Sequence, residues 1–540
     1  MLQHSRDPQH EGRPTTEQQM GRERRAPRLR RPRAVLATAS AIAVCGLGIT
    51  VGITACAPSS PAVDTVGNVD FDTPLAIPPL AERTVDADGT VHVDLTAEQG
   101  TTEFRSDTET PTMGYNGSYL GPTIRVNRGE HFAPCLTNNL DEVTTLHWHG
   151  MHLPAAADGG PHQPIEPGAD WCPDWTIDQP AATLWYHPHA HEDTERQVSH
   201  GMAGMLQISD AVETALPLPR EYGVDDIPVI VQDARFSDDG EFEKTNDFVG
   251  TLGDTLLVNG TIGPYLDVTT DVVRLRILNA SPARVYDFAF DDDREFAMIA
   301  SDGGLLEKPV TLDHVRLSPA ERAEILVRLQ PGETVTLRSN PPDLGENFQP
   351  ITGAAGHADR FDVLQLRAAS SLDHVGEVPE TLTTIDPIDP ADAVGERSFT
   401  LSGHSINDKQ MVMDRIDAVA TVGTTEIWNV VNEMPAPHNF HVHDVQFQVL
   451  SVSGSPPPPE LAGWKDTIYL EPDVEYRIIM EFADYADDEN PYMYHCHLLR
   501  HEDAGMMGQF LVVEPGADVP SQWRVDETPG DDADKGDHQH

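Results

Sequence analysis

Closely spaced histidines are the feature that most constrains how this 540-residue chain can fold. Ten of its 24 histidines fall into four tight groups, which are His147 with His149, His187 with His189, His438 with His441 and His443, and His495 with His497 and His501. Residues two apart on a β-strand point to the same side, so each His-x-His pair presents two imidazoles to one place. The spacing therefore predicts four pairs of imidazoles carried on strands.

The distribution of these pairs predicts a shared metal centre. Two pairs lie in the N-terminal part of the chain and two in the C-terminal part, and the middle has no such group. One pair alone is most often a surface pair or a packed pair, but four pairs in flanking regions are not explained that way. Neutral imidazoles in this number favour copper over a hard, oxygen-seeking ion. We expect a copper cluster between two domains.

Cys496 lies between two of these histidines, so on a strand it faces away from the cluster. There it can join three other side chains with copper-binding atoms, which are His438, His501 and Met506. One thiolate, two imidazoles and a distant thioether are the ligands of a blue-copper electron-transfer site. The sequence thus predicts two linked sites, in which an electron arriving at Cys496 has a short covalent route to the cluster.

Short β-rich runs broken by turn residues recur along the chain and indicate an all-β protein. The 44 prolines and 41 glycines agree with a turn-rich fold. Three strand-rich blocks indicate three sandwich domains. The predicted boundaries are residues 76–215, 225–370 and 398–515, with a linker at 371–397 and an acidic, disordered tail at 516–540.

The N-terminus has the order of an export signal. An arginine-rich stretch at residues 22–33, which contains the pair Arg30-Arg31, precedes an apolar run from Ala34 to Ala55. This order is typical of a twin-arginine signal. Cys56 stands where a bacterial lipobox places its lipidated residue, which predicts a signal at 1–56, a spacer at 57–75 and a lipid anchor on the outer face of the membrane. Cleavage to a soluble, secreted enzyme and an uncleaved membrane anchor remain alternatives.

Charge and cysteine content limit the partners. The formal net charge is −52, which repels phosphates and argues against nucleic acid. Without the signal, only Cys135, Cys172 and Cys496 remain. Outside the cytoplasm two cysteines can cross-link, and Cys135 and Cys172 both lie in strand-like surroundings, so we predict a disulfide between them. We expect a monomer that contacts the membrane only through the anchor.

The four motifs, in this order, resemble those of the multicopper oxidases, especially three-domain bacterial members such as the copper-efflux oxidase and the spore-coat laccase. Matching stretches also include LVNG at 257–260, GWKDT at 463–467 and HCHLLRHEDAGMMGQF from His495. The resemblance implies cupredoxin-like Greek-key sandwiches, with four copper ions bound by the first and third domains and a middle domain that serves as a spacer.

The resemblance also assigns the ligands. One type 1 copper takes His438, Cys496, His501 and Met506. One type 2 copper takes His147 and His441. Two type 3 coppers take His149, His187 and His497, and His189, His443 and His495. Asp158 and Glu502 match acids that supply protons near the cluster, as reduction of dioxygen requires. His501 is expected to approach the surface, and His152, His191 and His200 are expected beside the site or at the surface.

These observations predict an oxidase that takes single electrons from a small reducing substrate and reduces dioxygen to water. The third block has only Met411, Met413 and Met434 where copper-efflux oxidases carry a Met-rich insert. A laccase-like oxidase of phenols or aminophenols is therefore preferred over a cuprous or other metal-ion oxidase. A non-catalytic copper-binding envelope protein is the alternative of another class. A two-domain nitrite reductase is a weaker rival, since it would lack the full set of eight cluster imidazoles.

Overall fold

Three pairs of β-sheets follow one another along the chain. The computed structural model describes residues 62–245, 248–350 and 356–525. No helix within these ranges is long and apolar enough to cross a membrane. The predicted signal and Cys56 lie outside the described residues, as does most of the predicted tail.

The first pair of sheets carries the first two histidine groups. The strands of the N-terminal part of the chain, of which β1 joins a sheet of the middle pair, are β1 Thr73–Pro74, β2 Arg83–Val85, β3 Val91–Arg105, β4 Thr108–Tyr115, β5 Ile124–Asn127, β6 His131–Asn138, β7 His147–His149, β8 Asp170–Trp171, β9 Trp175–Thr176, β10 Ala182–His187 and β11 Gly204–Ser209. One sheet has the order β5-β11-β10-β7, and the other has β2-β3-β6-β8 with β4 beside β3 and β9 beside β6. The first half of β3 alternates between buried and more exposed residues, because one face of its sheet lies on the core.

The middle pair of sheets contains no member of the four histidine groups. Its strands are β12 Asp226–Ala234, β13 Thr255–Val258, β14 Pro264–Thr270, β15 Val272–Asn279, β16 Tyr286–Phe290, β17 Phe296–Ser301, β18 Gly304–Leu312, β19 His314–Leu317, β20 Arg322–Arg328, β21 Thr334–Asn340 and β22 Phe361–Asp373. The sheet orders are β13-β12-β15-β20-β17-β18 and β1-β14-β22-β21-β16-β19. The strands β12 and β15 are buried along their whole length.

The third pair of sheets carries the last two histidine groups. Its strands are β23 Ala393–Ser402, β24 Ser405–Ile406, β25 Arg415–Ile416, β26 Ala418–Thr421, β27 Thr424–Asn432, β28 His438–Val442, β29 Phe447–Val452, β30 Thr467–Leu470, β31 Glu475–Phe482, β32 Asp487–His495, β33 Met507–Val513 and β34 Arg524–Val525. The sheet orders are β24-β23-β27-β31-β29 and β26-β33-β32-β28-β30. The short helices of the described chain are α1 Thr194–Ser199, α2 Ala211–Ala215 and α3 Leu499–Asp503, and 3₁₀ turns occur at Ala155–Ala157, Pro390–Asp392 and Pro459–Leu461.

Each pair of sheets has its own large cluster of buried hydrophobic residues. Representative members are Leu95 and Leu184 in the first, Ile277 and Ile325 in the middle, and Trp428 and Phe440 in the third. Full burial of a side chain of this size stabilises the fold by roughly 1.5–3 kcal/mol. The predicted all-β sandwich fold is confirmed, while the domain boundaries at 76–215, 225–370 and 398–515 stay predictions.

The two ends of the described chain are more ordered than the sequence indicated. In the predicted spacer, the Val63 N–H donates to the Asp359 carboxylate at 2.8 Å, and β1 pairs with β14. In the predicted tail, β34 pairs with β25. These polar stretches find backbone partners on neighbouring sheets, which their composition alone could not reveal.

The predicted linker is shorter than 371–397, because β22 continues to Asp373 and β23 begins at Ala393. The connector before the middle block contains α2, where the Asp210 carboxylate caps the helix by accepting the Glu213 N–H. Cys135 and Cys172 form the predicted disulfide, with their Cα atoms 4.1 Å apart. Cys496 is the free cysteine of the described residues, and it is buried.

Candidate metal centre

Strand pairing brings the histidine groups of each block together. His147 lies opposite His187 across β7 and β10, and His441 lies opposite His495 across β28 and β32. Only the His147–His149 pair lies wholly within one strand. The other pairs lie at strand ends. In the His187–His189 pair the reason is Pro188, which cannot donate to the β-ladder, so that β10 stops at His187.

Eight imidazoles from the first and third blocks meet in one buried place. The Nε2 atom of His495 is 3.2 Å from the Nε2 atoms of both His189 and His443. The Nε2 atoms of His187 and His497 are 3.4 Å apart. Ring nitrogens within 4.8 Å of one another form the sets His147-His149-His441, His149-His187-His497 and His189-His443-His495. The last two sets are those assigned to the type 3 coppers, and the first joins the two type 2 histidines to His149.

The hydrogen bonds of these rings leave particular nitrogens without a protein partner. His147 and His441 donate through Nδ1 to the carbonyl oxygens of Asp158 and Asp466, at 2.9 and 2.8 Å, and the buried Nε2 of each has no partner. His149 is reversed. Its Nε2 donates to the Asp466 carboxylate at 3.1 Å, and its buried Nδ1 has no partner. Orphaned, inward-facing nitrogens with the other nitrogen fixed are what a metal site requires.

Burial also favours the neutral form of seven of the cluster imidazoles. The imidazoles whose pKa lies below its ordinary value are His149, His187, His189, His441, His443, His495 and His497. Removal from water is the largest cause for each, and for His495 it brings the pKa to about 3. Neutral imidazole is the form that binds metal, so the electrostatics of the pocket fit a metal cluster.

The two predicted acids lie against the cluster histidines. His443 donates from Nδ1 to the Asp158 carboxylate at 2.7 Å. The Glu502 carboxylate lies 3.3 Å from Nδ1 of His189 and 3.2 Å from Nδ1 of His495. Burial raises the pKa of Glu502 well above its ordinary value, with a smaller contribution from Asp503. This shift favours the protonated form of Glu502, which lies within reach of the cluster.

A second set of ligands lies wholly in the third block. The Cys496 Sγ is 3.5 Å from Nδ1 of both His438 and His501, and these two nitrogens are 3.1 Å apart. Burial raises the pKa of the Cys496 thiol to about 12, so a bound cation is needed to hold it as a thiolate. Met506 is buried, and its carbonyl accepts the Cys496 N–H at 3.1 Å.

His501 does not approach the surface, so that expectation is wrong. The ring is fully buried and donates from Nε2 to the Phe248 carbonyl at 3.0 Å. The Phe248 and His404 rings stack at 4.9 Å, and their centroids lie 5.1 and 4.8 Å from that of His501. We call these two half-buried residues the His501 cover. It joins the middle block to the third, which is why spacing within the ligand motif could not predict it.

The three histidines expected beside the site or at the surface differ in their surroundings. His152 is held between Asp444 and Asp484, with 2.8 Å from each ring nitrogen to a carboxylate. His200 accompanies α1 and hydrogen-bonds to the Arg196 carbonyl, whereas His191 is more exposed and lies 3.8 Å from Glu192. None of the three is in a metal-binding set of the described residues.

Sequence reasoning missed several residues that support the sites. Asp466 occurs in the quoted GWKDT stretch, but no role was inferred for it. Asn439 accepts the His497 N–H at 2.6 Å and is itself held by the Pro319 carbonyl at 2.8 Å. Its position between two ligand histidines was the available signal. Arg322 gave none, because an isolated arginine in a β-rich run has no motif.

The donor set fits copper, because imidazole suits Cu and a thiolate selects soft metals. Multicopper oxidase family models match residues 96–213 and 379–516. The multicopper oxidase mco of Staphylococcus epidermidis is 37% identical over 445 residues, covering 81% of this chain and 92% of that protein. The cell division protein FtsP of Xenorhabdus nematophila is 36% identical over 458 residues, covering 83% and 94%.

The crystal structure of a laccase from Pediococcus acidilactici superimposes with a TM-score of 0.75 at 36% identity, covering 82% of this chain and 94% of that one. Fold and site together define a copper-binding oxidoreductase built from cupredoxin-like sandwiches. The chain belongs to the multicopper oxidase family.

Proposed function

We propose that this chain is an exported, laccase-like oxidase that binds four copper ions and couples oxidation of phenolic or aminophenolic donors to reduction of dioxygen to water. The proposed ligands are those that the resemblance assigned, one mononuclear site and one cluster. The observation that carries the proposal is the link between them. Cys496 lies in the mononuclear set, while His495 and His497 on either side of it lie in the two type 3 sets.

Copper, when bound, supplies the one-electron redox chemistry and the reduction of dioxygen. The chain supplies geometry, exclusion of water and protons. Its eight cluster imidazoles are buried, so each has its orientation fixed by its neighbours rather than by solvent. Reduction of dioxygen to two waters consumes four protons, and Glu502 keeps a proton beside His189 and His495. Asp158 is the second acid of the proposal, and its carboxylate accepts the Nδ1–H of His443.

The methionines favour an organic donor over Cu(I). Met411 is buried and packs with Met493 and Met507, and the partly buried Met413 packs against them. These thioethers therefore form part of a hydrophobic cluster and are not a solvent-facing collector of Cu(I). A donor must instead reach the His501 cover, where electrons cross the Phe248 and His404 rings. The similarity to a solved laccase supports the same substrate class.

The similarity to a protein named for cell division favours one other candidate, a copper-binding envelope protein without turnover. Against it, all twelve proposed ligands are present in this chain. Export and the lipid anchor at Cys56 belong to the same proposal and rest on the sequence of residues outside the described ranges. A monomeric state is also part of the proposal.

The test is copper analysis and oxygen uptake on the purified, copper-loaded chain, with Cys496→Ser as the matched control. We expect four copper ions per chain, a blue thiolate absorption and oxygen consumption with a phenolic donor, with the blue absorption and the oxygen consumption lost in the control. Oxygen uptake stimulated only by Cu(I) would favour a metal-ion oxidase. Four copper ions without uptake on any donor would favour the envelope protein.

A further inference from the structure

Arg322 begins β20 in the middle block and is fully buried. All of its side-chain N–H groups find acceptors. Nε donates to the Thr183 carbonyl at 2.8 Å, and the two terminal nitrogens donate to the carbonyls of Ala320 and Asp302 at 3.2 and 2.8 Å. The same two nitrogens each donate to one carboxylate oxygen of Asp466 at 2.7 Å. The guanidinium thus joins the first, middle and third blocks at one point, with no donor unused.

Asp466 passes this constraint to the cluster. The Oδ1 atom that accepts from Arg322 also accepts the Nε2–H of His149 at 3.1 Å. The backbone carbonyl of Asp466 accepts from Nδ1 of His441 at 2.8 Å. One residue therefore holds an imidazole from each copper-bearing block, and it holds His149 in the tautomer that leaves Nδ1 free.

The chain beside His149 is shaped around this pair. Gly150 has a φ of +81°, and a Cβ placed there would lie 2.5 Å from the Asp466 carboxylate and 2.8 Å from Nη2 of Arg322. A side chain at this position would push the ion pair off His149. The glycine that follows the His-Trp-His motif thus leaves room for the guanidinium and carboxylate.

We propose that Arg322 positions Asp466 so that His149 binds copper through Nδ1, which makes the middle block a working part of the copper cluster although it contributes no ligand. This inference rests on the proposed function. Arginine is needed because only a planar fork can meet both carboxylate oxygens and three carbonyls at once, which a lysine ammonium with three donors cannot do. Loss of a partner of this kind weakens metal binding by roughly 10–100-fold.

The test compares Arg322→Lys and Arg322→Met with Arg274→Lys and Arg274→Met. Arg274 is an equally buried arginine of the middle block, and it is ion-paired to Glu324 and Glu213. Copper per chain, blue absorption and the rate of copper extraction by a chelator are measured on the folded fraction. We expect both Arg322 variants to keep the blue absorption while cluster copper is extracted roughly 10–100-fold more readily, and both Arg274 variants to keep all four ions.

Two results would overturn the inference: Arg322→Lys retaining cluster copper like the wild type, or Arg322 and Arg274 variants losing it equally. If the Arg322 variants do not fold, Gly150→Ala carries the test, since it displaces Asp466 without removing a charge, and wild-type copper retention in it is the overturning result. A wild-type chain that loads no cluster copper contradicts the proposed function itself, whereas a fully loaded wild type with indifferent variants contradicts only the role of Arg322.

Discussion

The mononuclear site and the cluster are built in different ways. The ligands proposed for the mononuclear site, from His438 to Met506, all belong to the third block. The middle block contributes the Phe248 part of its cover, the contacts of Ser318 and Pro319 to Asn439, and packing from Val249, Leu252 and Ala283. The cluster takes four imidazoles from each of two blocks, and the third partner, Arg322, comes from the middle block. The mononuclear site takes its proposed ligands from one block, whereas the cluster takes its imidazoles from two blocks and a supporting arginine from the third.

This difference determines what each site tolerates. A site whose ligands share one block depends chiefly on the packing of that block, so changes in the other copper-bearing block should leave it intact. A shared site depends on the relative placement of the blocks, and polar contacts such as Arg322 with Asp466 fix that placement. Substitutions near the cluster should therefore slow dioxygen reduction while leaving the blue site in place. Substitutions at the His501 cover should change the reaction with the donor while leaving dioxygen reduction unchanged.

The largest effect is expected for Asp158→Asn. The amide still accepts a hydrogen bond from His443 but cannot hold a transferable proton, so reoxidation by dioxygen should slow by about 10³-fold. Anaerobic bleaching of the blue absorption by a phenolic donor should keep its wild-type rate, as stopped-flow measurement would show. Asp233→Asn, which alters a buried carboxylate paired with Arg284 in the middle block, is the control for stability. If bleaching slowed as much as reoxidation, the claim that a change at the cluster leaves the mononuclear site unaffected would be contradicted.

Glu502→Gln should give the next effect, a slowing of reoxidation by about 10²-fold, because the amide carries no acidic proton to replace the one that Glu502 holds. Its contacts to His189 and His495, at 3.3 and 3.2 Å, are longer than that of Asp158 to His443. We therefore expect the smaller loss here. Single-turnover reoxidation measures it, and a loss larger than that of Asp158→Asn would reverse the order of the two acids.

His404→Ala tests the mononuclear side. Removing half of the His501 cover lets a small donor come closer to His501, so kcat/KM for a phenol should rise about fivefold, or roughly 1 kcal/mol of barrier. Reoxidation by dioxygen should not change, because the cluster is untouched. His314→Ala, a more exposed histidine of the middle block, is the matched control. An unchanged or lower kcat/KM would show that donors do not enter over His404.

His152→Gln is expected to leave both copper sites unchanged, and its effect, which is on stability, is the most pH-dependent of the four. Burial alone lowers the pKa of His152, but Asp444 and Asp484 outweigh it and raise the pKa to about 10, with Tyr485 packed against the ring. A raised pKa stabilises the fold fully below about pH 6.5 and loses that effect as pH rises to about 10. The wild type should exceed the variant by about 2–4 kcal/mol in unfolding free energy at pH 6, and much less at pH 10.

Denaturant titration across that range measures the difference directly. His152 joins the first block to the third beside the cluster and does not belong to the mononuclear site. The blue absorption should therefore be the same in both proteins. A difference in stability that did not vary with pH would mean that the ring contributes by packing and not by charge.

Sequence alone could predict which candidate ligands lie close together, because the spacing of each motif is short and strand geometry is regular. The His147–His149 pair needed only the alternation of a strand, and Cys496 needed only its place between two histidines. The prediction that each His-x-His pair lies on a strand does not hold at His189, because Pro188 ends β10 at His187. The candidate ligands still lie close together, because strand pairing fixes the place where the loop after β10 begins.

The remaining features could not be predicted because their partners are distant in the chain. Arg322 meets Asp466 across 144 residues, and His501 meets Phe248 across 253. No local period or motif encodes such a contact. The ordered stretch before β2 was missed for the same reason, since Val63 is held by Asp359.

The placement of His147 and His497 in one cluster also determines the order of folding and copper binding. During synthesis the first two blocks can fold while the third is still being made, since domains generally fold as units from the N-terminus. At that stage the four imidazoles of the first block have no counterparts, because their partners begin at His441. Copper that reached the chain before the third block had folded would meet only four of the eight cluster imidazoles. A chain that stops before His495 is left without a finished centre of either kind, so metal loading must come after the last strands are in place.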